Sequence, residues 1–276
     1  MPEGHVTHRL ARTLTREFGG RPVRVSSPQG RFADAAALLD GTEFERGDAV
    51  GKHLFLDFAG GRVVWIHLGL IGRLHFGPDE PPASPGTLRL RIAARGVRAD
   101  LRGPQWCRLV TGEERDAVAA ASGPDPLRPE ADPERAWVRL SRSKRAVGAL
   151  LMDQSVFAGV GNIYRAEVLF RHGIDPHLPA CDLGRATFDS VWRDLVELMA
   201  VGVRDGRIDT VTEAHTPDAM GRPARVDRHG GEVYVYRRAG DPCLVCGTPI
   251  ARADFHGRNL YWCPTCQPAG SAGGPR

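Results

Sequence analysis

The sequence predicts an α+β chain of several domains. Three observations carry that expectation. The first 120 or so residues break into short apolar stretches separated by Gly and Pro, as β-strands joined by turns do. The middle carries apolar residues at helical spacing. Near the C-terminus two Cys-x-x-Cys pairs stand 16 residues apart. A chain of 276 residues has room for two domains of about 100–150 residues and a small module besides.

Composition narrows the class. Hydrophobic residues make up 42% and charged residues 25%, which is ordinary for a globular protein. There is no apolar run of about 18 residues and no basic-then-apolar leader, so neither a membrane span nor a signal peptide is expected. The net charge of +4 favours an anionic partner. Only Lys52 and Lys144 are lysines, which leaves Pro2, Lys52 and Lys144 as the possible imine-forming amines. Four of the six cysteines are paired by spacing, while Cys107 and Cys181 stand alone. That pattern suits a reduced, intracellular protein with a metal site better than a disulfide framework.

The chain begins with a helix. Val6, Leu10, Leu14 and Phe18 recur every four residues with Ala11 beside them, and Gly19-Gly20 ends the pattern. That helix would hold Met1-Pro2-Glu3 in place. Removal of Met1 would leave Pro2 as a free secondary amine, with an α-amino reference pKa near ~8 against ~10.4 for lysine. A fraction would be neutral and nucleophilic, able to form an iminium at an aldehyde-level carbon, with Glu3 beside it to move protons. The alternative is an ordinary N-terminus, with Pro at a first helical position and Glu in the first turn. His5 and His8 read as exposed helix surface.

Strands follow. Val23 and Val25 alternate with Pro22 and Arg24. His53 to Phe58 and Val63 to Leu68 flank Ala59-Gly60-Gly61, a hairpin signature. Leu88, Leu90 and Ile92 alternate with Arg89 and Arg91, giving one buried and one basic face after a Pro/Gly-rich loop from Gly77 to Gly86. Many short strands suggest a sandwich or a barrel. Lys52 sits at a turn before a strand, from where it reaches a cleft or lies solvated. Gly69-Leu70-Ile71-Gly72 sets two large apolar residues between glycines, either a wedge into a base stack or core packing.

A proline-rich stretch, Gly123 to Pro133, reads as a linker. Helices are expected from Pro133 with Ala136, Trp137 and Leu140, from Arg145 to Met152, and over Phe188 to Val203. Between them, Gly159 and Gly161 break the chain and Asn162 reads as the N-cap of a helix to Arg171. Such a helix start offers N–H groups to a phosphate, or forms a corner that only packs. Residues 204–228 read as a polar loop.

Cys243, Cys246, Cys263 and Cys266 fit a tetrahedral zinc site of four thiolates. Four protein ligands leave no open position, so the zinc would be structural, and metal binding would supply the folding energy of the small segment. Arg252 and Arg258 are basic, and Arg258, just before Tyr261-Trp262-Cys263, suits bidentate contact with a phosphate. Glu232 to Tyr236 alternates like a strand. The residues after Gln267 read as a disordered tail. The expected division is 1–122, 123–230, 231–268 and the tail 269–276.

Taken together, these stretches resemble the formamidopyrimidine-DNA glycosylase and endonuclease VIII family. The matching pieces are Met1-Pro2-Glu3-Gly4, Gly51-Lys52-His53-Leu54, Gly159-Val160-Gly161-Asn162-Ile163-Tyr164, and Tyr261-Trp262-Cys263-Pro264-Thr265-Cys266-Gln267. The resemblance implies a β-sandwich with flanking helices, a helix-two-turn-helix domain and a β-hairpin zinc finger holding one structural zinc. It implies a bifunctional glycosylase and abasic-site lyase in base-excision repair. In it Pro2 attacks C1′, Glu3 transfers protons, Lys52 assists at the sugar or its phosphate, and Asn162 and Arg258 grip damaged DNA near the lesion. Successive β- and δ-elimination would then leave a gap.

Gly4 after Pro2-Glu3 is similar to the endonuclease VIII branch, which implies oxidised pyrimidines as preferred substrates. That branch's best-known bacterial wedge is Gln-Leu-Tyr. Here Gly69-Leu70-Ile71 keeps the wedge in Leu70 and lacks the polar contact to the orphaned base. The expected enzyme is a cytoplasmic, nucleoid-associated monomer with no membrane partner. A damage-recognising binder that does not cut, and a zinc-ribbon interaction module on an unrelated β-domain, are the rival readings.

Overall fold

The computed structural model describes residues 2–80, 86–227 and 231–274. The chain separates into two compact units, Met1–Ala121 and Ser122–Arg276.

The first unit is a β-sandwich. It runs α1 (Gly4–Phe18), β1 (Arg21–Pro22), β2 (Arg24–Ser26), α2 (Ala33–Leu39), β3 (Glu43–Val50), β4 (His53–Phe58), β5 (Arg62–His67), β6 (Arg73–Pro78), β7 (Leu88–Ala94), β8 (Val97–Arg102), β9 (Trp106–Thr111) and α3 (Gly112–Ala121). One sheet has the order β1-β3-β4-β5-β9 and the other β2-β7-β8-β6, with antiparallel pairing throughout. Leu14, Phe18, Leu54, Leu56, Ile66, Ile92 and Leu101 belong to the core that the sandwich encloses.

The β4–β5 hairpin closes at Ala59-Gly60-Gly61, with both glycines at positive φ and Phe58 opposite Arg62. Strand β4 is apolar at successive positions because both of its faces are covered. Leu54 and Leu56 point into the sandwich, while Phe55 joins Val63 in a second cluster beneath Val118 and Ala119 of α3. Helix α1 approaches β3 closely at Gly47, where a Cβ would lie 2.7 Å from the Ala11 carbonyl oxygen.

Several expectations for this unit need correction. His5 and His8 are buried, at 4% and 8% exposure, because α1 packs along more of its circumference than the stripe through Leu14 and Phe18. Arg91 does not sit on a solvated basic face. It is buried and makes a forked pair with Asp100 of β8, Nε and Nη2 each reaching a carboxylate oxygen at 2.7 and 2.8 Å. The loop expected over Gly77–Gly86 starts later, since β6 extends to Pro78. Residues 81–85 of that loop lie outside the described residues.

The second unit contains α4 (Glu134–Leu140), α5 (Val147–Leu150), α6 (Asn162–Arg171), α7 (Arg185–Asp205), α8 (Pro217–Met220) and a hairpin of β10 (Ala251–Phe255) and β11 (Arg258–Trp262). Its core includes Tyr164, Phe170, Phe188, Leu195 and Met199 from the long helices, together with Val233 to Tyr236, Cys243 and Cys263. The helix expected over residues 145–152 is the single turn α5. The stretch 204–228 is more ordered than a polar loop, with a 3-10 turn at Glu213–His215, then α8, and with Ile208 and Thr210 buried. Arg228 lies outside the described residues.

Residues Glu232 to Tyr236 do not form a strand. The amides of Tyr234, Val235 and Tyr236 turn toward one buried carboxylate, Glu167 of α6, and the Glu232 amide donates to Asp209, instead of pairing with a neighbouring strand. The residues after Gln267 are held as far as they are described, to 274. The Ser271 hydroxyl donates to the Gly173 carbonyl and the Gly270 amide to Asp175, both at 2.8 Å. Small residues let that strand of chain lie flat against the helical core, where Ala272 pairs with Ile174. Among the described residues no helix is long and apolar enough to cross a membrane.

Candidate active site and nucleic-acid interface

In the first unit the start of α1 and the β3–β4 turn are joined. Glu3 caps α1 from an extended conformation and is fully buried, while Pro2 remains partly accessible. One turn into the helix, the Thr7 hydroxyl lies 2.8 Å from the Gly4 carbonyl and 2.5 Å from the Gly51 carbonyl. Gly51 takes a positive φ of 56°, and Lys52 follows it at the tip of the turn. Thr7 therefore fastens the amine-bearing end of the chain to the lysine turn. Three of the candidate catalytic residues, Pro2, Glu3 and Lys52, fall in this one region.

Beside Lys52 lies a shelf of rings. His53 and His67 are opposite each other on β4 and β5, with ring centroids 5.6 Å apart. Trp106 of β9 stacks on His67 at 4.4 Å. The Trp65 indole N–H donates to His53 Nδ1 at 3.1 Å, which marks that nitrogen as an acceptor. Burial first, then His67 and Lys52, push the His53 pKa down to about 4. His67 is also lowered, by burial and then by Lys52. Both imidazoles are thus neutral near pH 7, and the Arg108 guanidinium lies over the Trp65 and Trp106 rings of the same shelf. His5, under the chain start, is pushed down to about 4, chiefly by burial, with the positive chain end and Arg9 adding to it. The alternation of His53, Phe55 and His67, Trp65 in paired strands was a legible signal for the shelf; the tie through Thr7 had none.

The glycine-flanked apolar pair projects from the turn between β5 and β6. Leu70 is 59% and Ile71 77% exposed. Gly69 has a φ of +67°, and a Cβ there would lie 2.9 Å from Cβ of Gln105.

In the second unit, the loop before α6 is stapled by Gln154. Its carboxamide nitrogen donates to the carbonyls of Met152 and Val160, and its oxygen accepts from the Gly159 amide. Gly161 is the N-cap of α6, and Asn162 is its first residue, not the cap. The Asn162 side chain bridges β11 and the Arg165 side chain one turn along its own helix. Its nitrogen donates to the Asn259 carbonyl of β11 at 3.0 Å, and its oxygen accepts from Arg165. Arg165, 1% exposed, also donates to Asn259 and lies over the Phe255 ring. Arg258, next to Asn259, is exposed and opens β11 after the two-residue turn His256-Gly257, whose φ values are 53° and 71°. The structure thus brings Asn162 and Arg258 to one place.

Glu167, five residues after Asn162 on the same helix, was not singled out as a site. Its carboxylate accepts from the amides of Tyr234, Val235 and Tyr236 at 2.7, 2.9 and 2.8 Å, and from the Thr210 hydroxyl at 2.6 Å. An acidic residue on the core-facing side of α6, between Tyr164 and Phe170, was its visible mark in the sequence.

The four cysteines converge. Their sulfurs all lie within 4.8 Å of one another, with Cys243–Cys266 at 3.9 Å and Cys246–Cys263 at 3.5 Å. A tetrahedron with Zn–S bonds of about 2.3 Å has edges of about 3.8 Å, so the donor set fits zinc. Amides of Val245 and Cys266 point at the Cys243 and Cys263 sulfurs at 3.4 Å, which suits thiolate charge. The chain therefore carries a closed, structural zinc site.

Three family models match the chain. The formamidopyrimidine-DNA glycosylase N-terminal domain covers residues 1–105. Its H2TH domain covers residues 122–213, and the zinc finger found in FPG and IleRS covers 240–269. Endonuclease 8 1 of Mycobacterium tuberculosis is 50% identical over 272 residues, spanning 97% of this chain and all of the relative. The probable endonuclease 8 2 of Streptomyces coelicolor is 34% identical, spanning 99% and 97%. The crystal structure of the MutM (Fpg) protein from Thermus thermophilus superposes with a TM-score of 0.75 at 30% identity, covering 99% of this chain and 100% of that one.

Proposed function

The chain belongs to the formamidopyrimidine-DNA glycosylase and endonuclease VIII family, and from that premise we propose the residues, the chemistry and the lesions of its activity. It is a DNA glycosylase and abasic-site lyase of base-excision repair, and damaged DNA is its partner.

Pro2, freed of Met1, is the nucleophile. Its nitrogen bonds to C1′ as the glycosidic C1′–N bond breaks, and the base departs with that electron pair and takes up the proton that the Pro2 nitrogen sheds. Glu3 gives a proton to O4′ as the C1′–O4′ bond opens, and the Pro2 nitrogen becomes an iminium. The iminium acidifies C2′, whose proton is lost as the 3′ phosphate leaves; a second elimination releases the 5′ phosphate. Lys52 balances phosphate charge beside the sugar. The single observation that carries this assignment is the Thr7 bond to Gly51, which supports a fixed relation between the chain start and the lysine turn.

On the binding side, Arg258 and the helix start at Asn162 take backbone phosphates, and Leu70 enters the gap left by the flipped nucleotide. Gly4 supports an endonuclease VIII-like preference for oxidised pyrimidines. The protein acts as a monomer in the cytoplasm, at the nucleoid.

Borohydride trapping on duplexes containing an oxidised pyrimidine tests this. An adduct mapping to Pro2, lost when one residue is added ahead of Pro2, is the expected result. Trapping that survives the added residue, or binding with no adduct at all, overturns it.

A further inference from the structure

A groove lies where the chain of the first unit crosses from one sheet to the other, at Val23 between β1 and β2. Strand β1 pairs with β3 and strand β2 with β7, each at the edge of its sheet. The groove has a volume of about 360 Å³. Its apolar floor is Val23, Ala93 and Ala94, and Arg21, Arg24 and Arg95 stand around it. No carboxylate among the described residues lines it. Arg21 pairs with Phe44 near the start of β3, so roughly 20 Å of strand separates the groove from Val50 and the lysine turn.

The three guanidinium groups have donors to spare. Arg21 donates once, from Nη1 to the Glu17 carbonyl at 3.0 Å. Arg24 pairs with Asp79 and is still 70% exposed. Arg95 is exposed and has no ion-pair partner among the described residues. Its backbone is held in a disfavoured conformation. Arg95 and Gly96, with φ of 48° and 78°, form the two-residue link between Ala94 and Val97 of the β7–β8 hairpin. A link with positive φ at both positions suits Asn-Gly or Asp-Gly, and an arginine in the first place works against the turn. That cost places a long cation at the mouth of the groove, which marks its side chain as the part in use.

We propose that this groove docks an acidic segment of a partner protein. One apolar side chain of that segment sits on Val23, Ala93 and Ala94, and its neighbouring carboxylates meet Arg21, Arg24 and Arg95. A phosphate would use the arginines and leave the apolar floor bare, whereas an acidic peptide with an apolar residue uses both. The volume is at the low end of ligand pockets, room for one side chain and the backbone that carries it. Carboxylates facing arginines steer the encounter and set which partner fits. Docking at this end of β3 leaves Pro2 and Lys52 free, so a partner and a damaged strand are held at once. The proposal does not depend on the catalytic roles assigned above.

The test is fluorescence anisotropy of the full chain with a labelled peptide of four aspartates followed by phenylalanine. The chain is first saturated with a duplex carrying an uncleavable abasic analogue, which blocks the DNA site. The peptide should bind at micromolar concentration, and its counterpart ending in serine at least fivefold more weakly. Arg95→Asn should weaken binding at least threefold, with a melting temperature equal to or above that of the wild type, because asparagine suits the turn. Adding Arg21→Gln and Arg24→Gln should bring the loss to at least tenfold, with cleavage of an abasic duplex unchanged. No binding of the phenylalanine peptide, or its displacement by the duplex, overturns the proposal. So do equal affinities for the two peptides, binding unchanged in Arg95→Asn, and full displacement by equimolar pyrophosphate, which would make the groove a simple anion site.

Discussion

The hydroxyl of Thr7 sits 2.5 Å from the carbonyl oxygen of Gly51, joining the first turn of α1 to the β3–β4 turn. The two residues are 44 positions apart, and Thr7 is 1% exposed. Replacing it with the near-isosteric valine removes the donor and keeps the volume. Thr7→Val is expected to lower stability by about 1–2 kcal/mol, as for a buried hydrogen bond with one partner left unmet. The single-turnover rate should fall at least fivefold because Pro2 loses its fixed relation to Lys52. Denaturant melts and rates on one abasic duplex check this; a rate equal to wild type means the tie does not position the amine.

The Glu167 carboxylate gathers four hydrogen bonds from residues 210 and 234–236. Glu167→Gln puts an NH₂ group against amide donors. A loss of about 2–4 kcal/mol is expected, since a charge-assisted cluster is broken inside the core. Residues 233–236 lead into the first cysteine pair, so chelators should also strip zinc from the variant faster. Thermal melts and a colorimetric zinc-release assay report both effects.

Metal removal should undo the hairpin locally. The β10–β11 pair is two-stranded and too small to hold itself without the thiolate cluster. Cys263→Ser is expected to take bound zinc from one ion per chain toward none. It should weaken binding to abasic duplex at least tenfold, because Arg258 and Asn259 lose their place beside Asn162. Atomic absorption and gel shifts measure these; full DNA affinity without zinc would separate the hairpin from DNA binding.

Acid should loosen the first unit selectively. His5 and His53 both fall to about 4 from an ordinary value of 6.5. The unfolded chain then binds more protons than the folded one between those two values. Stability is full above pH 6.5 and is lost as pH falls toward 4, by up to about 3 kcal/mol for each imidazole. Melting the protein from pH 7.5 to 4 should show a falling Tm across that window. His53→Gln should flatten part of the slope, and a Tm independent of pH there would contradict the burial of these rings.

Repeating local pattern made much of the fold legible. The α1 stripe, the β4–β5 hairpin and the four cysteines are each set by spacing within a few dozen residues, where periodicity and chain stiffness act directly. The resemblance marked Pro2, Glu3, Lys52, Leu70, Asn162 and Arg258 by short motifs. Local pattern misled where a distant partner decided the outcome. Glu232 to Tyr236 alternates like a strand, yet a buried carboxylate some 70 residues earlier in the chain captures three of its amides, since a charge in an apolar core attracts any donor in reach. His5 and His8 looked like surface because amphipathicity reports the strongest stripe of a helix, not every face that neighbours cover.

By itself, the sequence determined the α+β class, the order of sandwich, helices and metal module, and the zinc ligands, because these depend on contacts and periods short along the chain. The tertiary structure alone decided that Thr7 meets Gly51, that Arg165 and Asn162 hold Asn259, and that Gln105 stands in the space beside Gly69. Those pairs lie far apart in sequence, and only the packing of sheet, helix and turn brings their atoms within hydrogen-bonding or van der Waals range.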